Sequence, residues 1–127
     1  MKRLLLTIGL VALVAISAAC SSTAAEPVPS GPIDPNGPTI VAKNLAFTTT
    51  TVEIAAGKNV TLHFDNQDSA PHNVAIYQDS SASKKISVGQ IITSAKSDQV
   101  VPALAAGTYF FRCDSHPDQM TGTFNVK

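Results

Sequence analysis

Charge is scarce in this chain, and neither sign predominates. Only 14% of the 127 residues are charged, and nine basic side chains balance nine acidic ones. No basic patch with interleaved aromatic residues occurs, so the sequence argues against a nucleic-acid partner. No run of like charges is long enough to predict an electrostatic docking tail. Function must therefore be inferred from individual residues rather than from net charge.

Cysteine and histidine are also scarce, with two and three copies. There is no Cys-x-x-Cys-His sequence, which excludes c-type haem attachment at the level of motif. The paired cysteines typical of structural zinc sites are missing as well. We find neither a Ser-His-Asp arrangement nor a carboxylate pair that would support hydrolysis. We therefore expect neither a haem protein, nor a zinc domain, nor a hydrolytic enzyme.

The first twenty residues have the pattern of an export signal. Two basic residues are followed by the apolar segment Leu4–Ile16, which is too short for a comfortable membrane span. Small residues then precede Cys20, with Ser17 at a place where an aliphatic residue is usual. The segment resembles a bacterial lipoprotein signal, which implies a signal peptide at residues 1–19 and a lipid on Cys20. The alternative is an ordinary secretory signal cut near Cys20, which would leave that thiol without lipid.

Both interpretations export the protein, and the first anchors it by lipid to the outer face of the cell membrane. Without the two basic residues of the signal, seven basic residues remain against nine acidic ones. Residues 20–38 contain five prolines among small and polar residues. This composition favours an extended, semi-rigid membrane tether. The remaining residues, 39–127, are predicted to form a single folded domain.

The domain is predicted to be all-β, because short alternations of apolar and polar residues separated by turn residues dominate it. Val60, Leu62 and Phe64 alternate with polar residues, which puts His63 on the outward face of its strand. No stretch shows a sustained helical period. Short strands in this number predict a Greek-key β-sandwich of seven to eight strands. The predicted strands are Ile40–Phe47, Thr50–Ile54, Asn59–Asp65, Asn73–Gln78, Gly89–Ile92, Asp98–Pro102, Thr108–Cys113 and Thr121–Val126.

Sulfur and nitrogen donors are concentrated near the end of the chain. Cys113, His116 and Met120 lie in the sequence Cys-Asp-Ser-His-Pro-Asp-Gln-Met, directly after a predicted strand. His72 lies further upstream, in a turn that leads into another strand. In a sandwich of two sheets, two such loops can meet at one end. Two imidazoles and one thiolate with a weak axial thioether are the ligands of blue-copper electron-transfer sites.

The count of cysteines supports a metal site. If Cys20 carries lipid, Cys113 has no partner for a disulfide. A lone thiol in an oxidising compartment is open to oxidation unless something protects it. A bond to a metal ion would give that protection.

Two segments resemble the signatures of the cupredoxins, the plastocyanin and amicyanin type of blue copper protein. They are Pro71–Val74 and Gly107–His116. The resemblance covers residues 39–127. It implies a cupredoxin fold and one copper ion that cycles between Cu(II) and Cu(I) in a one-electron carrier. At the position after the cysteine, where the family often has Ser or Thr, this chain has Asp114.

The same resemblance implies a role for each candidate residue. His72, Cys113 and His116 would be the equatorial copper ligands, and Met120 would be the axial ligand. Asn73 would tie the two ligand loops together by a hydrogen bond. In the family pattern the second histidine, here His116, lies at the surface and is the port through which electrons enter and leave.

Several alternatives stay open at the level of sequence. Gln119 adjoins Met120, and an amide oxygen can also fill the weak axial position. A copper carrier or buffer lipoprotein would use the same ligands without relaying electrons, and a metal-free adhesive sandwich would not bind copper. Copper oxidases and nitrite reductases need further histidine-rich sites and more domains, so we do not expect an enzyme. The expected partners are redox proteins that the sequence does not name, and we expect a monomer.

Overall fold

The structure, a computed structural model, describes residues 31–127. The predicted signal peptide, Cys20 and the first part of the predicted tether lie outside the described residues. Between residues 31 and 127 the regular elements are all strands, and no helix there is long and apolar enough to cross a membrane. The strands are β1 (Ile33–Asp34), β2 (Thr39–Lys43), β3 (Ala46–Phe47), β4 (Thr51–Ile54), β5 (Asn59–Asn66), β6 (Ala75–Tyr77), β7 (Lys85–Val88), β8 (Ala95–Val101), β9 (Gly107–Arg112) and β10 (Thr121–Val126).

The strands form two sheets of five. In the first sheet β5 is central, with β8 antiparallel to it on one side. Both β1 and β2 run parallel to β5 along its other side, and β3 pairs with β2. The second sheet has the order β4-β10-β9-β6-β7, in which only β4 and β10 are parallel. This all-β sandwich confirms the predicted fold class, and the two strands beyond the predicted number are two-residue segments.

The core lies between the sheets and follows the predicted alternation. In β5 the side chains of Val60, Leu62 and Phe64 are buried, whereas the intervening residues are only partly buried. The Phe64 ring meets the Phe47 ring edge to face, with centroids 6.4 Å apart. Phe47 in turn contacts Phe111 of the second sheet at 5.4 Å. Such aromatic pairs add about 0.5–1.5 kcal/mol each beyond the burial of their surface, so this row of rings joins the two sheets.

The predicted strand Ile40–Phe47 is wrong as one continuous element. The chain turns back at Asn44 and Leu45, which have φ angles of 55° and 57°, so that β2 and β3 pair antiparallel. A two-residue turn with both φ angles positive suits the twist of a hairpin, but leucine is not a residue that signals it. The carboxylate of Asp68 accepts hydrogen bonds from both backbone N–H groups, at 2.7 and 2.9 Å. Asn44 suits such a turn, but Leu45 does not, and a contact distant in sequence stabilises it.

The predicted strand Gly89–Ile92 is also wrong. The strand that pairs with β6 is β7, and it ends one residue before Gly89. Ile92 makes only an isolated bridge, with its N–H donating to the carbonyl of His72 and its carbonyl accepting from the His72 N–H. Lys85–Val88 does alternate polar and apolar residues, but over only four positions, and its apolar side chains are at most partly buried.

The first sheet begins inside the segment predicted to be a tether. Ile33 and Asp34 pair with the start of β5, ahead of the predicted boundary at residue 39. The carbonyl oxygen of Pro35 lies 3.0 Å from Nε2 of His63, and the Pro38 carbonyl accepts from the His63 N–H. Residues 33–38 are therefore attached to the domain by backbone and side-chain hydrogen bonds.

We predict that Gly122→Ala destabilises the protein by about 1–3 kcal/mol, the usual cost of overpacking a core. A Cβ at Gly122 would lie 2.2 Å from Cζ of the buried Phe111 and 2.6 Å from the Thr50 carbonyl oxygen. Urea unfolding of the metal-free protein measures the effect. Lys58→Ala, at an exposed position just after a turn, serves as the control and should change the free energy of unfolding by less than about 0.5 kcal/mol. Equal stability of the Gly122 variant and the wild type would contradict this packing.

Candidate metal centre

Two loops meet at one end of the sandwich and bring the candidate ligands together. His72 precedes β6 and is held by its backbone bridge to Ile92. Cys113 follows β9, and its N–H donates to the carbonyl of Met120 at 2.9 Å, which closes the loop between β9 and β10. Within this loop the His116 carbonyl accepts from the Met120 N–H at 3.1 Å. The backbone therefore fixes the positions from which the donor side chains project.

The Cys113 sulfur lies between two imidazole nitrogens. Its Sγ is 3.7 Å from Nδ1 of His72 and 3.9 Å from Nδ1 of His116. The three donor atoms lie within 4.8 Å of one another. The two rings meet edge to face, with centroids 4.8 Å apart. Cys113 and His72 are completely buried, whereas His116 is half-buried.

These distances fit one ion bound between the three side chains. A first-row metal binds thiolate at about 2.3 Å and imidazole at about 2.0 Å, so two such donors can be at most about 4.3 Å apart. Both sulfur–nitrogen distances lie below that limit. The three donor atoms are spread over as much as 4.8 Å, so an ion would draw them somewhat closer together around the buried thiolate.

Met120 and Gln119, the two candidates for the axial ligand, differ in burial. The Met120 side chain is fully buried and belongs to the same core cluster as Cys113. The Gln119 side chain is exposed. A buried thioether in the core cluster that contains the thiol is suited to be a weak fourth donor, whereas an exposed amide is suited to contact solvent.

Asn73 joins the two ligand loops. Its Oδ1 accepts from the backbone N–H of Asp114 at 2.8 Å, and its Nδ2 donates to the Gly89 carbonyl at 3.3 Å. The bond between the loops uses a main-chain donor, so it does not need Ser or Thr after the cysteine. Asparagine at this position is 1% exposed, and both ends of its amide have partners.

The Asp114 carboxylate contacts side chains outside the cluster of candidate metal ligands. Oδ1 of Asp114 accepts from the Tyr77 hydroxyl at 2.5 Å and from Nε of Arg112 at 3.2 Å. Burial alone would raise the pKa of Asp114, but the hydrogen bonds from Tyr77 and Arg112 outweigh it and lower that pKa. The Arg112 guanidinium also lies over the Tyr77 ring at 4.9 Å. This group of three side chains stabilises the end of β9 and compensates the charge next to Cys113.

Asp68 contacts one of the candidate ligands, and sequence reasoning missed it. Its Oδ2 lies 3.1 Å from Nε2 of His72, on the side of the ring opposite Cys113. The backbone N–H of Leu45 is the main cause of a lowered pKa of this carboxyl. The only local signal is an aspartate four residues before a histidine in a loop, and that pattern is too common to predict a contact.

His63 does not belong to this cluster. Its Nδ1 lies 2.7 Å from Oδ1 of Asp98, and its Nε2 lies against the Pro35 carbonyl. The hydrogen bond to Asp98 is the main cause of a raised pKa of His63. The structure therefore gives this histidine a structural contact on the outer face of β5, as the alternation predicts.

Comparison with known proteins identifies the family. A family model described as a cupredoxin-like domain matches residues 9–126. The chain therefore belongs to the cupredoxin-like family. His72, Cys113 and His116 form a cluster that could hold a metal ion, and Met120 is buried in the same core as Cys113. No curated protein sequence matches the chain.

Solved structures share the fold at low sequence identity. Auracyanin A, a "blue" copper protein of Chloroflexus aurantiacus, is 24% identical, with a TM-score of 0.62, over 72% of this chain and 100% of that one. Auracyanin of Roseiflexus castenholzii is 19% identical, with a TM-score of 0.64, over 74% and 98%. Amicyanin of Paracoccus versutus is 25% identical, with a TM-score of 0.56, over 79% and 85%.

Proposed function

We propose that this protein is a type 1 copper protein that carries one electron at a time outside the cytoplasmic membrane. In this proposal His72, Cys113 and His116 are the equatorial ligands and Met120 is the axial ligand. The observation that carries it is the buried Cys113 sulfur between two imidazole Nδ1 atoms, at 3.7 and 3.9 Å. When bound there, copper supplies the one-electron couple between Cu(II) and Cu(I).

The surrounding protein is suited to electron transfer because it restrains the ligands. Cu(II) and Cu(I) prefer different geometries, so a site that cannot follow either preference has little to rearrange. The Asn73 amide joins the two loops, and the bond from the Cys113 N–H to Met120 closes the second one. His72 is fixed by its bridge to Ile92. Each constraint acts on the backbone beside a ligand.

The proposed ligands differ in exposure, and this difference favours one of them as the route by which electrons reach the copper. His72, Cys113 and Met120 are completely buried, while His116 is half-buried and its neighbours Ser115 and Pro117 are exposed. A redox partner that docks at this end of the sandwich would meet the His116 ring first. We propose redox proteins as the partners and His116 as the port between them and the copper.

We predict that the wild-type protein binds one equivalent of Cu(II) and develops an intense visible band from thiolate-to-copper charge transfer. Cys113→Ser should remove the band, because a hydroxyl lacks the sulfur orbitals that produce it. His63→Gln is the matched control, since it removes a histidine outside the cluster and should keep the band. A band that persists in the Cys113 variant would contradict the assignment. Slow reduction together with ready release of copper would instead favour a copper carrier over a relay.

Substitutions at residues 119 and 120 test the axial ligand. A thioether is a soft, weak donor, whereas an amide oxygen is harder and favours Cu(II). Met120→Leu should therefore raise the reduction potential, and Met120→Gln should lower it. Gln119→Ala should leave the potential and the spectrum unchanged. A shift in the Gln119 variant with a silent Met120→Leu would make Gln119 the ligand.

We propose that Cys20 carries lipid and holds the domain at the outer face of the membrane. Each buried methylene adds about 0.8 kcal/mol to membrane binding, and stable anchoring takes more than one acyl chain. In cells that process lipoproteins, the wild type should fractionate with membranes, and Cys20→Ser should be released or remain unprocessed. Wild-type protein found entirely in the soluble exported fraction would show that an ordinary secretory signal is present.

A further inference from the structure

We infer that Asp68 is a positioning residue for the copper site, which orients His72 through Nε2 and lowers the reduction potential by its negative charge. The inference rests on the proposed function and deepens it, because it names what tunes the site. It is carried by one contact: the Asp68 carboxylate on the distal nitrogen of a completely buried ligand histidine, at 3.1 Å.

The contact determines which nitrogen of His72 is free to bind a metal. A neutral imidazole carries its proton on one nitrogen, and the hydrogen bond made by the other nitrogen sets the choice. An ionised carboxylate can only accept, so it places the proton on Nε2. Nδ1 is then left with its lone pair, and Nδ1 is the nitrogen that lies 3.7 Å from the Cys113 sulfur. Asp68 thereby prepares the ring for copper before copper arrives.

The carboxylate is itself held in place. Oδ1 accepts from the Asn44 N–H at 2.7 Å, and Oδ2 accepts from the Leu45 N–H at 2.9 Å as well as facing His72. The backbone of Asp68 is fixed on both sides, with its carbonyl accepting from Ser94 and its N–H donating to Asn66. The Asp68 side chain is only 15% exposed. Because backbone donors already bind it, the carboxylate cannot swing into solvent and leave His72.

The charge of Asp68 also favours one oxidation state. A fixed negative charge beyond the imidazole makes His72 a stronger donor, and it stabilises Cu(II) more than Cu(I). Carboxylates that accept from a ligand histidine typically change metal affinity by about 10–100-fold. If Asp68→Asn weakens Cu(II) binding about tenfold relative to Cu(I), the reduction potential rises by about 59 mV, the one-electron equivalent of a tenfold change.

A competing interpretation is that Asp68 only stabilises the turn between β2 and β3. Two control variants separate the interpretations. Leu45→Gly relieves a left-handed leucine and keeps its N–H, so it alters the stability of the turn without touching the carboxylate. Asp98→Asn neutralises the second histidine–carboxylate pair of the domain, where Asp98 meets His63 on the outer face of β5. Both controls should leave the potential at the wild-type value.

The experiment compares Asp68→Asn, Asp68→Glu and the two controls with the wild type. Voltammetry gives the potential, and competition with a chelator gives the Cu(II) and Cu(I) affinities. We expect Asp68→Asn to raise the potential and weaken Cu(II) binding about 10–100-fold, with partial recovery in Asp68→Glu, which keeps the charge. A loss of stability in Asp68→Asn with an unchanged potential would overturn the inference and leave Asp68 as a turn residue only.

Nitrogen NMR of the His72 ring in the metal-free wild type gives a second readout that needs neither copper nor a folded variant. We expect the proton on Nε2, with a hydrogen-bonded shift. A proton on Nδ1, or an even mixture of tautomers, would overturn the inference. A wild type without a blue band would count against the proposed function, whereas the ring tautomer would still decide whether Asp68 orients His72.

Discussion

The position of the Cys113 sulfur is the constraint on which the rest of this site depends. The sulfur lies where the pairing of β9 and β10 ends, and one backbone hydrogen bond, from the Cys113 N–H to Met120, fixes that end. This bond closes the loop that contains His116, and Nδ1 of His116 lies 3.9 Å from the sulfur. His72 reaches the same point from the other loop. The thiol is completely buried between two imidazoles, so a bound metal ion would complete a site that the backbone has already assembled.

Fold and site are joined by contacts that serve both. Asn73 connects the two ligand loops through a main-chain donor, and the Tyr77–Arg112–Asp114 group compensates the charge that follows the cysteine. Asp68 connects a strained turn of the first sheet to a ligand histidine. The site therefore has partners in both sheets, and a change in one sheet can reach the metal through a hydrogen bond. This arrangement suits a carrier whose ligands must not move when an electron arrives.

The sequence alone predicted those features of the fold and the site that depend on neighbouring residues. The alternation of Val60, Leu62 and Phe64 predicted the buried face of β5, and the spacing after Cys113 predicted which donors share a loop. It did not predict features that depend on a contact with a residue far away in the sequence. Asn44 suits the first left-handed position of the turn, but Leu45 does not suit the second, and the carboxylate that stabilises the turn belongs to Asp68 in another loop. The same distance concealed the contact of Asp68 with His72. The strand β7 was misplaced because its alternation extends over only four residues.

The central claim is that the protein offers copper a preformed thiolate site that barely changes on reduction. X-ray absorption at the copper edge of the Cu(II) and Cu(I) forms tests it most directly. The account predicts one short copper–sulfur bond and two copper–nitrogen bonds in both oxidation states, with nearly the same lengths. A spectrum without a short sulfur bond, or a change in the number of ligands on reduction, would contradict it.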